Sequence, residues 1–74
     1  MAKVDIKSEC AGTVISIGVN IGQSVSRDDE IAVLEAMKME IPVVSTSTGV
    51  IAMLRVVAGD AIQEGDVIAV IETA

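Results

Sequence analysis

The sequence has no phenylalanine, tyrosine, tryptophan or histidine, and only one cysteine and one proline in 74 residues. Without aromatic rings it has no platform on which nucleic-acid bases could stack. Five basic against 11 acidic residues, a net charge of −6, leave no basic surface for a phosphate backbone or an anionic membrane. Neither nucleic acid nor a membrane is an expected partner. The missing histidine removes the commonest general base. With only Cys10 beside it, a zinc site has too few good ligands. The expectation is a protein with no metal and no self-sufficient active site. Cys10 cannot form an internal disulfide and reads as a small buried or half-buried thiol. No uncharged run approaches a bilayer span, and the N-terminus lacks the apolar core of a signal peptide. The expected location is the cytoplasm.

What remains is aliphatic. About half the residues (51%) are apolar, and the core has to be built mainly from Val and Ile, which favour strands. Residues 1–74 make one small domain, near the lower limit for folding on a single core. Residues 3–7 alternate, with Val4 and Ile6 on one face and charges on the other. Strand-like runs follow at 13–21, 30–36, 41–44, 50–57, 61–62 and 67–71. Residues 24–29 are polar around Val25, and residues 45–49 read as a loop. Pro42 cannot donate a ladder hydrogen bond, which places it on a sheet edge or at a bulge.

One stretch contradicts this pattern. Residues 28–41 open with acidic residues, are rich in Ala, Leu, Glu, Met and Lys, and space their apolar residues almost helically. An internal repeat decides the matter. Residues 12–36 lie on 49–73 at a shift of 37 without a gap, and 8 of the 25 positions are identical: Gly12/Gly49, Val19/Val56, Gly22/Gly59, Asp29/Asp66, Ile31/Ile68, Ala32/Ala69, Val33/Val70 and Glu35/Glu72. Chance would give about two. Four more pairs exchange one aliphatic for another: Val14/Ile51, Ile17/Leu54, Val25/Ile62 and Leu34/Ile71. The partner of residues 31–36 is Ile-Ala-Val-Ile-Glu-Thr, too β-branched for a helix, so both copies are strands.

Two four-strand units, each with one apolar face, bury those faces best against each other. The expected fold is all-β: a flattened antiparallel sandwich of about eight short strands with quasi-twofold symmetry. Lys38 then falls in a tight reversal between strands 31–36 and 39–44, and the repeat puts that reversal at the opposite end from the chain termini. Met37-Lys38 is unusual chemistry for such a turn, which favours Asn-Gly because both central residues need positive φ. An unfavourable residue held at a turn points to function. Met37 and Met39 either fill gaps in the core or offer a soft contact surface. Glu35 and Glu40 read as solvated or ion-paired charges, or as contacts for a partner. Asp28 or Asp29 is expected at positive φ, because Asp28 stands where the second copy has Gly65.

The run Glu35-Ala36-Met37-Lys38-Met39-Glu40, with Ala11-Gly12-Thr13-Val14 before it and Val70-Ile71-Glu72 after it, resembles the biotinyl domains of biotin-dependent carboxylases and decarboxylases. The resemblance covers almost the whole chain. It implies that Lys38 carries biotin in amide linkage, with Ala36, Met37 and Met39 matching the residues a biotin protein ligase reads, and the ligase is then the partner that Glu35 and Glu40 would contact on their second reading. Lysine amines are protonated at neutral pH, and with no histidine here the ligase has to supply the base for attack on biotinyl-adenylate. The loaded domain would carry carboxylate between a biotin carboxylase and a carboxyltransferase, as in acetyl-CoA carboxylase-like enzymes, while catalysis stays with those partners. Two features depart from the family pattern: Glu9-Cys10 replaces its Pro-Met, and Asp28-Asp29 replaces its Gly-Asp. The protruding loop that some biotin carriers insert in the first half has no room. A lipoyl carrier is the alternative, although that family sets Asp before its lysine and Ala after it. An unmodified β-sandwich that only binds other proteins is a third reading. Met1 directly before the first strand, with no Ala/Pro-rich linker, leans towards a stand-alone carrier.

Overall fold

The computed structural model describes residues 2–73, which form eight strands and no helix. They are β1 (Ala2–Lys7), β2 (Gly12–Ile17), β3 (Ser24–Val25), β4 (Glu30–Ala36), β5 (Met39–Val44), β6 (Gly49–Leu54), β7 (Ala61–Ile62) and β8 (Val67–Thr73). Two antiparallel sheets run β1-β8-β6-β3 and β5-β4-β2-β7. The shift of 37 residues turns one order into the other strand by strand. Each sheet therefore takes two strands from each half: β1 and β3 of the first half pair with β8 and β6, and β5 and β7 of the second half pair with β4 and β2.

The alternation of apolar residues fixes which faces meet. Ile31, Ala32 and Leu34 of β4 and their repeats Ile68, Ala69 and Ile71 of β8 are buried, as are Val14 and Ile51. Val25 and Ile62, the buried residues of β3 and β7, close the core at its sides. At roughly 2 kcal/mol for each fully buried aliphatic side chain, this interface is the main source of stability in a chain without aromatics. Pro42 lies on β5, an edge strand, where its missing N–H breaks no ladder.

Two runs are shorter than their apolar pattern suggests. The stretches 13–21 and 50–57 end as strands at Ile17 and Leu54. Each carries a bulge, between Val14 and Ser16 and between Ile51 and Met53, and then turns at a glycine of positive φ, Gly22 (90°) and Gly59 (98°). Val19 is nevertheless buried, and Val56 packs against the core. The pattern there records burial within a loop.

The identities between the halves have physical causes. Asp29 and Asp66 accept the N–H of Ser26 and Gln63 at 2.8 Å, closing turns whose third residues, Asp28 (φ 75°) and Gly65 (φ 90°), are left-handed. Asp28 is thus the positive-φ member of its pair, and Asp29 is the cap. The repeat also extends further upstream than residue 12. Ser8 and Ser45, 37 apart, are both buried, and each hydroxyl donates to the carbonyl two residues on, of Cys10 and Ser47. The same oxygens accept the N–H of Cys10 and Ser47. These serines hold the crossings from β1 to β2 and from β5 to β6.

The crossing at residues 8–11 also orients the molecule, whose extents are 36 × 19 × 18 Å. Ala2 pairs with Thr73 at one end of its sheet and Lys7 with Val67 towards the other. From Lys7 the chain crosses to Gly12, which lies against Glu35 and Ala36 at the end of β4. The β4–β5 reversal and the paired chain ends therefore occupy opposite poles.

The turn at Asp28 gives a direct check. Asp28→Gly should keep or raise the urea midpoint, because glycine adopts positive φ freely. Asp28→Val should lower stability by about 1–2 kcal/mol, because a β-branched residue resists that region. Equal midpoints for the two variants would contradict this account of the turn.

Candidate functional site

Ala36 pairs with Met39, so β4 and β5 are joined by two residues only, Met37 and Lys38. Both have positive φ, 52° and 63°, the geometry whose twist matches antiparallel strands. Each residue costs of order 1 kcal/mol there, since neither has a short side chain to compensate locally. The reversal is imposed from outside. Ala36 is buried, and Gly12 brings β2 so close that a Cβ at Gly12 would lie 2.5 Å from the Glu35 carbonyl oxygen and 3.2 Å from Cβ of Ala36. The end of β4 is clamped, and the next two residues make the turn.

The apex is correspondingly open. Met37 is 94% exposed and Met39 64%, so neither fills the core, and Lys38 is exposed between them. The residues named from the sequence come together here: Ala36 as the buried base, Met37 and Met39 as an apolar collar, Lys38 at the tip, and Glu35 on the opposite strand face from Ala36. One acyl group on the Lys38 amine would meet no steric bar and would have two thioether side chains at its root. The residues present fit such a group.

Glu40 sits directly across from Glu35. Like charges facing each other destabilise a strand pair. In the repeat, Glu72 instead faces Lys3. The symmetry therefore equates the positions of Glu35 and Glu72 and separates their chemistry: Glu72 faces a cation, and Glu35 and Glu40 form an acidic pair on the hairpin. The register follows from the two-residue turn, so the signal for this pairing was in the sequence once the turn was assigned. The other two lysines, Lys3 and Lys7, lie along β1, and neither sits in the two-residue turn between β4 and β5.

A family model described as "Biotin-requiring enzyme" matches residues 4–71. The biotinylated protein TB7.3 homolog of Mycobacterium leprae is 40% identical over 67 residues, which are 90% of this chain and 94% of that protein. The biotin-dependent acyl-coenzyme A carboxylase alpha3 subunit of the same organism is 49% identical over 61 residues, 82% of this chain and 10% of the subunit. Among solved structures, the Kluyveromyces lactis urea carboxylase matches with a TM-score of 0.92 at 29% identity, covering 97% of this chain and 6% of that enzyme.

Replacing the turn with Asn-Gly (Met37→Asn with Lys38→Gly) should stabilise the domain by about 1–2 kcal/mol, raising the thermal midpoint by several degrees. An unchanged or lower midpoint would show that the turn carries no backbone strain.

Proposed function

This chain belongs to the biotin–lipoyl family, and on that premise we propose that it is a biotin carrier whose Lys38 holds the group through an amide at Nζ. The observation that carries the assignment is the exposed lysine at the apex of a strained two-residue turn, collared by exposed Met37 and Met39. The domain is non-catalytic: the hairpin offers one nucleophile, and no histidine exists to activate it.

Attachment is an acyl transfer by a biotin protein ligase. The Lys38 amine attacks the acyl carbonyl of biotinyl-adenylate, the carbonyl–phosphate bond breaks, AMP departs, and the ligase's base takes the amine proton. Ala36 leaves room at the foot of the turn, Met37 and Met39 are the apolar contacts that the ligase reads, and Glu35 with Glu40 supplies an acidic edge to meet a basic surface. The attached group contributes a ureido nitrogen that takes up and releases carboxylate. The hairpin contributes position: a rigid post at the far pole from the chain ends, which keeps the load clear of any tether and at high local concentration near two active sites. Those sites are a biotin carboxylase and a carboxyltransferase. The acceptor is left open, since acyl-CoA and urea carboxylases both include such domains among the relatives. We infer a cytoplasmic location for the carrier, with which a free Cys10 thiol is compatible. Among the described residues no helix is long and apolar enough to cross a membrane.

The lipoyl alternative shares the fold, and the residues beside the lysine oppose it: Met37 and Met39 stand where lipoyl domains set Asp and Ala.

Co-expression with a biotin ligase should make the wild-type domain streptavidin-reactive. Lys38→Arg should abolish labelling with the circular dichroism unchanged, because the guanidinium stays protonated and is a far weaker nucleophile. Lys3→Arg and Lys7→Arg should label normally. Met39→Ala should slow labelling several-fold without unfolding the domain, since that side chain is mostly exposed. Substantial labelling of Lys38→Arg would remove the assignment.

A further inference from the structure

The two sheets do not close against each other along every edge. Between β1 and β5, the outer strands of the two sheets, a cleft of ≈ 140 Å³ opens. Its apolar lining includes Leu34, Ile41 and the half-buried Cys10, and its polar lining includes Lys7, Glu9 and Thr46. The core residues Ile6, Leu34 and Val43 form its base, and the turn at Met37-Lys38 does not line it. Its near end lies towards the hairpin pole, at Ile41, two residues after Met39, and at Cys10, in the crossing that leads to Gly12; its far end lies at Val44 and Thr46.

We propose that this cleft is a resting site for the domain's own biotinyl-lysine arm. The inference rests on the attachment reading above. Reach favours it: three residues of strand separate Lys38 from Ile41, about 10 Å, and an acylated lysine extends about ten bonds from its Cα to the bicyclic head, roughly 12 Å. Chemistry favours it as well. The thioether ring of the head matches the aliphatic floor of Leu34 and Ile41. Its ureido group has two N–H donors and one carbonyl acceptor. The Glu9 carboxylate can accept from the former, and the Lys7 ammonium can donate to the latter. Both flanking strands are sheet edges and so present unpaired backbone groups to the same mouth. A resting arm is withdrawn from solvent, and a partner active site has to compete for it, which lowers the apparent affinity of the carrier by the fraction at rest.

Cys10 reports on occupancy. Apo and fully biotinylated domain are prepared, and intact mass is read first. The initial rate of Cys10 alkylation by iodoacetamide is then measured on both. Biotinylation should slow alkylation at least fivefold, and Ile41→Glu, which puts a charge on the floor, should return the biotinylated domain to the apo rate. Methyl NMR of the unmutated domain gives a second readout that does not depend on the variant folding: Leu34 and Ile41 resonances should shift on biotinylation. Full biotinyl mass with equal alkylation rates, or with methyl shifts confined to residues 37–39, overturns the resting site and leaves the attachment reading intact. Absence of the mass increment overturns the attachment reading and takes the resting site with it.

Discussion

The exchange of β3 and β7 between the halves is the constraint on which the rest depends. Each repeat has one apolar face and no aromatic residue to enlarge it, so neither half can bury enough surface alone. Crossing the short strands locks the faces together. Val25 seats β3 against β6 of the second half, and Ile62 seats β7 against β2 of the first. The loops that carry these strands are fastened reciprocally as well: Gly22 donates to the Ile51 carbonyl, and Gly59 to that of Val14. With both sheets fixed this way, the ends of β4 and β8 are forced to opposite poles.

From that placement comes the difference between two equivalent positions. At one pole the chain ends pair, with Ala2 opposite Thr73; at the other the same geometry must be closed by a covalent turn. The closure takes only two residues, both in left-handed conformation, and Gly12 holds the strand beneath them by close backbone approach. A rigid sandwich tolerates the cost of Met and Lys there because its stability comes from elsewhere. The exposed amine is thus positioned by the core and contributes little to it. Asp28 shows the same logic in milder form, since a short polar side chain is the least costly replacement for glycine at positive φ.

Much of this was legible in the sequence because the repeat converts a local ambiguity into a global one with a single answer. Residues 28–41 are helical by propensity, and only their alignment with the β-branched second copy shows that burial outweighs propensity there. Lys38 stands out for the same reason, as a poor turn residue where the symmetry requires a turn. Other features were hidden by their weak signals. The Ser8/Ser45 pair lies in segments whose other members match only as aliphatics, such as Ile6 and Val43. The loops after β2 and β6 keep an apolar pattern because Val19 and Val56 point to the core without ladder bonds. The facing of Glu35 by Glu40 needs the register, and the cleft between β1 and β5 needs both sheets in place.

The central claim is that a single amine, set at the pole remote from the chain ends, receives the group. Peptide mapping of wild-type protein co-expressed with a biotin ligase tests it most directly. The account predicts one biotinyl amide per chain, located on Lys38. Biotin on Lys3 or Lys7, a lipoyl group on Lys38, or an unmodified chain beside an active ligase would contradict it.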